Sequence, residues 1–362
     1  FLTCSADITF IDSFALSTSS LEDLIFMVFK LISMKEIKSK KQTHFIKKFL
    51  IKICRILGYE LIDQSTLEFP VSNKKYQDLI SIPGKKSISL GLGETPITRK
   101  VNALDIIVKT CTSIQLVSQN KKRIFEEDKS EYTFRTVNSL VKSAKDLKKK
   151  FDEITVNFTI IDVNSSSADI NKILSKISGE GFEVQHIPVE NIKDSKNNMS
   201  TTMASIRKSF YHAKNCTDLI YFVEDDYIHK TEALAEMVFA YEKFSSIFEK
   251  EIFILSSDYP YLYKKMNNSN ILIGEKTHWR TVRESLLTLM TSKKMIEKYF
   301  DRLIEMATKE SSPFEKNLHK IYEDERCFSP IPSLSVHCAN INSVFGLSPN
   351  IDFKKLWNEN KN

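Results

Sequence analysis

Glycine and proline are scarce in this chain, with eight and nine among 362 residues. Collagen-like and Pro/Gly-rich disordered classes are thereby excluded. The six cysteines (Cys4, Cys54, Cys111, Cys216, Cys327 and Cys338) are scattered and form no C-x-x-C pair, so no structural zinc module is written in them. A chain this long has core enough without disulfides, and reduced thiols in a reducing compartment are expected. Long hydrophobic runs are missing too. The most apolar stretch near the N-terminus, Leu24 to Phe29, is broken by Lys30 and is far short of the ~20 residues a bilayer span needs. A basic start and a small-residue cleavage site, the marks of a secretory signal, are not seen. Residues 1–33 are therefore expected to be a disordered or non-native leader with Met34 opening the protein; a packed N-terminal helix is the alternative.

Two nucleotide motifs are also lacking. Gly91-Leu92-Gly93 begins a dinucleotide loop, but Pro96 stands where its third glycine belongs. No Walker loop occurs. The net charge of +6 is confined to one place. Between Met34 and Leu57 eight cations face Glu36 alone, a local +7, which leaves −1 for the rest of the chain. A body with no basic excess and no duplex-binding motif is not expected to bind nucleic acid.

What is present begins with that basic segment. From Thr43 to Leu57, Phe45, Ile46, Phe49, Leu50, Ile53, Ile56 and Leu57 recur at helical spacing, and Lys47, Lys48, Lys52 and Arg55 take the other face. Such a helix suits an anionic membrane surface, or it packs on the protein with a solvated basic face. Residues 34–110 are read as this helix and a small α+β region of short strands and turns. From about residue 111 strands and helices alternate, as in an α/β unit with a mostly parallel sheet. Thr112 to Ser118 is read as its first strand, Tyr132 to Phe151 as a long helix and Ile154 to Ile161 as the second strand. A helix from Ser167, a strand over Phe182 to Val189 and a helix over Thr201 to Lys214 follow. The short apolar strand Leu219 to Val223 then runs into Glu224-Asp225-Asp226, with Thr231 able to cap the next helix.

Three consecutive carboxylates after a buried strand repel one another and call for a compensating cation. Open α/β sheets bind ligands beyond the carboxyl ends of their strands, and a divalent ion with hard oxygen ligands satisfies both facts. An acidic turn is the plain alternative.

The run Tyr221-Phe-Val-Glu-Asp-Asp-Tyr227 resembles the metal-binding signature of GT-A-fold glycosyltransferases. Its Glu-Asp-Asp form is similar to that of the N-acetylglucosaminyltransferase I type. The preceding order fits as well: strand, long helix with YTFRTVNSLVKSA, then a strand ending in Asp162-Val-Asn-Ser165, where Val163 replaces the second acid of the family's Asp-Asp-x-Ser. The resemblance covers roughly residues 111–345, leaving 346–362 as a C-terminal tail. It implies a GT-A-like, Rossmann-type sheet flanked by helices and a divalent metal (Mn2+ or Mg2+). It further implies Asp226 as direct metal ligand, Asp225 and Glu224 toward the ribose and base of a nucleotide sugar, and Asp162 on the same rim. His337, ending the strand Ser333 to His337, is the implied further metal ligand, with a structural histidine as the alternative.

An inverting transferase also needs a carboxylate to take the acceptor's proton. Asp258 and Glu315 are the candidates; Asp258 alternatively caps the Ser-Ser-Asp-Tyr-Pro turn, and Glu315 is alternatively an ordinary first-turn acid of the helix PFEKNLHKIY. Trp279, Arg280 and Arg283, with His278, cluster in THWRTVRES between two expected strands and are expected to contact acceptor or phosphate. Tyr259, Tyr261 and Tyr263 alternate as on a strand face. The expected function is metal-dependent transfer from a nucleotide-sugar donor to a glycan or lipid-linked acceptor in cell-surface polysaccharide synthesis. The expected place is the cytoplasm, held to the inner membrane face by the basic helix. Nucleotidyl transfer, with Lys121-Lys122-Arg123 as its phosphate loop, and a catalytically degenerate membrane-associated scaffold are the alternatives.

Overall fold

The computed structural model describes residues 43–58, 96–113, 123–189, 198–264, 268–309, 311–338, 346–348 and 350–361. The chain divides into two compact units, Phe1–Thr95 and Pro96–Asn362. In the first, helix α1 spans Thr43–Ile56 as its periodicity predicts, and Gly58 ends it at φ +84°, a conformation that favours glycine. The expected leader, and the rest of the expected α+β region up to residue 95, lie outside the described residues.

The second unit carries the alternation. Its elements run β1 (Ala103–Thr110), α2 (Lys129–Lys150), β2 (Thr155–Asp162), α3 (Ser167–Gly179), β3 (Glu183–Pro188), α4 (Asn198–Ala213) and β4 (Leu219–Glu224). A short β5 (Tyr227–His229), α5 (Ala233–Phe248) and β6 (Phe253–Leu255) follow, then the hairpin β7 (Ile271–Ile273) and β8 (His278–Val282). The chain closes with β9 (Leu289–Ser292), α6 (Lys293–Lys298), α7 (Phe300–Met306), α8 (Lys316–Asp324), β10 (Cys327–Ile331), β11 (Ser335–His337) and α9 (Phe353–Glu359). Ser166 caps α3 by accepting the Asp169 amide at 3.1 Å, and three lysines close α2 against its dipole.

Among the described residues nine strands form one sheet in the order β3-β2-β1-β4-β9-β6-β10-β8-β7. Only β8 and β9 run against the other seven. This is the mixed, mostly parallel α/β sheet flanked by helices that the alternation predicts. α2 packs on α3 and α5, whereas α4 packs on α6 and α7. Leu219 to Val223 lies inside the sheet between β1 and β9 and is buried throughout. Among the described residues no helix is long and apolar enough to cross a membrane.

Four expectations are corrected. The first strand is Ala103–Thr110, not Thr112 to Ser118. Its apolar run, buried on both faces, shows no alternation, and its one acid, Asp105, is paired internally by Asn157 Nδ2 at 3.0 Å and the Thr217 amide at 3.1 Å. Thr112 and Ser113 lie past the strand, and residues 114–118 lie outside the described residues. Residues 353–359 are not tail but helix α9. Trp357 is buried there, stacked on Phe125 (centroids 4.1 Å) beneath the Arg135 guanidinium. The three alternating tyrosines sit on no strand, because Pro260 opens a 3-10 turn over Pro260–Tyr263. Thr231 does not cap α5, whose N-cap position is Glu232.

Candidate functional site at the carboxyl edge of the sheet

Strand order reverses between β1 and β4: β2 and β3 extend the sheet on one side, while the chain crosses to β4 on the other. The crevice beyond such a reversal is where open α/β sheets bind ligands. Glu224, Asp225 and Asp226 stand at this point, and Asp162 ends the next strand but one.

Asp225 is engaged from both sides of the reversal. It accepts the Cys111 amide at 3.0 Å and the Thr133 hydroxyl at 3.0 Å, and Lys129 Nζ pairs with its other oxygen. It thus ties the end of β1 and the first turn of α2 to β4. Asp162 is buried; Oδ1 accepts from Thr110 Oγ1 at 2.7 Å, and Oδ2 accepts the Ser165 amide at 3.2 Å. That turn passes through Asn164 at φ 61°, a left-handed position asparagine tolerates. Glu224, more exposed, pairs with Lys109 at 3.1 Å, the residue opposite it in the β1–β4 register.

Asp226 meets His337. β5 and β11 form a separate two-stranded antiparallel sheet in which His337 lies opposite Tyr227. His337 Nε2 is therefore 3.5 Å from Asp226 Oδ2, and the imidazole stacks on Tyr227 with centroids 4.4 Å apart and planes 9° apart. Burial pushes the Asp226 carboxyl up, but His337, with Lys129 and Arg123 behind it, outweighs burial and holds it below the usual carboxylate range. Under the pair, the Tyr227 hydroxyl bonds that of Tyr259 at 2.9 Å.

Glu315 occupies the residue before α8. Burial pushes its carboxyl up to about 7; Glu224's charge adds to the rise, while Lys109 and His337 oppose it. Glu315 thus shares one electrostatic field with Glu224, Lys109 and His337. Asp258, the other candidate base, is differently placed. It is sealed from solvent, with Arg280 Nη2 on Oδ1 at 2.7 Å and the Tyr263 hydroxyl on Oδ2.

The segment THWRTVRES, expected between two strands, itself contains strand β8, and its alternation separates the residues grouped there. Trp279 is fully buried, its indole N–H on Glu236 Oε1 at 3.2 Å and its ring edge-on to Phe244. It has no face left for a sugar, which corrects its expected acceptor role. Arg280 is committed to Asp258 and lies over the Tyr263 ring at 4.1 Å. Arg280 and Arg283 line a cleft of about 470 Å³ with Asn268, Asn270 and Tyr322. His278 is exposed.

Of the three cations that balance the acids, sequence reasoning places Arg123 only in a phosphate loop and misses Lys109 and Lys129. A signal existed for both. Lys109 is a lone charge near the end of an apolar strand, and Lys129 opens a helix, where the dipole disfavours a cation unless acids face it.

The donor set limits which metal fits. Among the described residues no group of three or more His, Cys, Asp or Glu side chains gathers as a cage. Asp226 and His337 offer one carboxylate and one imidazole, a mixed oxygen and nitrogen pair nearer to Mn2+ than to the all-oxygen preference of Mg2+, with water and phosphate oxygens as the other ligands.

No family model matches the sequence, and no curated protein matches it either. Solved structures similar to the chain include S. aureus TarS (13% identity, TM-score 0.33, over 54% of this chain and 29% of that one). The galactosyltransferase LgtC, in complex with donor and acceptor sugar analogs, is similar at 12% identity and TM-score 0.29, over 56% of this chain and 65% of its own. A putative glucose-1-phosphate thymidylyltransferase from Bacillus anthracis is similar at 13% and 0.37, over 71% of this chain and 99% of its own. The chain spans less than two thirds of the length of TarS and LgtC.

Proposed function

We propose that the protein is a metal-dependent glycosyltransferase that moves a sugar from a nucleotide-sugar donor to a hydroxyl of a glycan or lipid-linked acceptor. One observation carries the reading: Asp226, after β4, and His337, from β11, meet at 3.5 Å at the carboxyl edge where strand order reverses, with Glu224 in the same acidic run and its charge felt by the Glu315 carboxyl. Asp226 and His337 would hold the divalent cation. When bound, that ion neutralises the charge that develops on the leaving diphosphate. Lys109, Lys129 and Arg123 add positive charge at the same place. Asp162, Glu224 and Asp225 line the rim toward the donor's ribose and base, with Asp225 also holding that rim together through its three donors.

Glu315 supports the chemical step. In an inverting transfer its carboxylate takes the proton of the acceptor hydroxyl as that oxygen bonds to the anomeric carbon. The bond from that carbon to the diphosphate oxygen breaks, and its electron pair leaves with the diphosphate. A base poised near the working pH is the efficient one, and burial has moved Glu315 there. Asp258, closed off by Arg280 and Tyr263, is the weaker candidate and braces the sheet beside the site.

Calorimetric titration of manganese and nucleoside diphosphates tests the reading. Wild type should bind nucleotide more tightly with manganese. Asp226→Asn should lose that dependence. Glu315→Gln should bind as wild type does but lose donor turnover. If Asp226→Asn binds both ligands like wild type, the acidic triplet is a surface turn and the reading fails. Pyrophosphate release from a nucleoside triphosphate and a sugar phosphate marks nucleotidyl transfer instead. A scaffold binds neither nucleotide nor metal.

A further inference from the structure

We infer that α1 is a lipid-surface anchor that lies in the headgroup region of an anionic bilayer with its apolar face inward. The inference is independent of the sugar-transfer reading. At helical spacing Phe49, Leu50, Ile53, Ile56 and Leu57 fall on one side, and Lys48, Lys52 and Arg55 on the other. On that apolar side Phe49 is 59% exposed, Ile56 77% and Leu57 56%, with Leu50 and Ile53 half-exposed. The three cations are exposed as well. Three large apolar side chains within two turns, left in water, form the kind of patch that marks a contact surface.

Charge complementarity selects the occupant. The segment from Met34 to Leu57 carries +7 and the remaining chain −1; α1 holds Lys47, Lys48, Lys52 and Arg55 of its cations, so attraction to an anionic surface centres on this segment. A polyanion such as nucleic acid would engage the lysines but leave Phe49 and Ile56 in water. A bilayer interface takes both faces at once, with the apolar side chains among acyl chains and the cations among headgroups. Fourteen residues rise only about 21 Å, less than the ~30 Å hydrocarbon core, so the helix lies on the membrane.

The full chain, sedimented with phosphatidylcholine vesicles with and without phosphatidylglycerol, tests this. Wild type should sediment with the anionic vesicles only. Lys48→Gln with Lys52→Gln should lower the partition coefficient roughly thirtyfold, at about 1 kcal/mol per cation. Phe49→Ser with Ile56→Ser should abolish binding to the same vesicles, with an unchanged thermal melt because both residues are exposed. The inference is overturned if wild type stays in solution, or if all variants sediment equally. It is overturned too if the charge variant loses binding while the serine variant keeps it, since the contact is then with a polyanion alone.

Discussion

Asp226 and His337 face each other at 3.5 Å because β5 and β11 pair antiparallel with His337 opposite Tyr227. The amide of Cys338 locks the same register by donating to the Asp226 carbonyl at 2.7 Å. A one-residue slip would send His337 to the other face of that ribbon and unmake the pair. The small second sheet therefore acts as the device that brings a distant histidine to the end of β4.

Glu315 gives the clearest pH dependence. Its carboxyl is raised, chiefly by burial, to about 7, and a base works only when deprotonated. Turnover should rise with pH through a limb centred near 7. Lys109→Met, which removes an opposing cation, should move that limb upward. Stability should move the other way. A raised carboxyl favours folding below its ordinary value of 4.5 and loses that contribution as pH rises through about 7. Glu315→Gln should therefore be more stable than wild type above pH 7, by about 1–3 kcal/mol, with no gain below 4.5. Urea unfolding across pH, with an unchanged profile for Glu315→Gln, would refute the assignment.

His229 is a buried neutral base. Burial lowers it from 6.5 to about 3, and Tyr221 hydroxyl and His229 Nε2 lie 2.6 Å apart. Its contribution is complete above 6.5 and drains away as pH falls toward 3, because the unfolded chain binds the proton first. His229→Asn should show a shallower acid loss across that window than wild type. Tyr221→Phe, which leaves the buried Nε2 without its bond while Ser139 stays on Nδ1, should cost about 1–3 kcal/mol at neutral pH. Circular dichroism melts of both variants decide the matter.

Gly274 is needed where the β7–β8 hairpin meets α5. A Cβ there would lie 2.1 Å from Glu236 Oε1, 2.5 Å from Trp279 Nε1 and 2.8 Å from the Thr277 carbonyl. Glu236 cannot swing aside, since the Glu275 and Lys276 amides and the Trp279 indole all bond to it. Gly274→Ala should cost about 1–3 kcal/mol in chemical denaturation, and an alanine variant as stable as wild type would refute the packing described.

Trp357 anchors the C-terminal helix to α2. Arg135 donates to its carbonyl at 2.6 Å, and Tyr132 packs against its ring with centroids 4.7 Å apart. Trp357→Ala should cost about 3–5 kcal/mol. Tyr132 also supports Arg123, whose guanidinium lies 4.8 Å from its ring centroid, so nucleotide affinity should weaken along with stability. A variant that loses neither would show the helix to be dispensable.

Much of the fold was legible because its signals are local. The 3.6-residue rhythm of α1, the opening of α3 at Ser167 and the apolar run of β4 ending in three acids need only neighbouring residues to be read. The placing of the acidic triplet at the carboxyl end of a buried strand was legible for the same reason: like charges that close together need compensation wherever the strand lies. β1 escaped, since a strand buried on both faces has no alternation, and the β-branched run after it looked more like one.

Tertiary structure decided what local patterns cannot carry. Whether His337 reaches Asp226, and whether Asp258 or Glu315 has a titration suited to a base, depends on residues far apart in the chain. Trp279 and Arg280 are adjacent in sequence, yet the two-residue period of β8 turns one into the core and the other toward Asp258. Trp357 stands in a stretch that reads as tail and becomes core only because α2 offers Tyr132 and Arg135 beneath it. Periodicity is a property of neighbours along the chain, whereas desolvation and charge pairing are properties of neighbours in space, and those exist only once the sheet has closed around its edge.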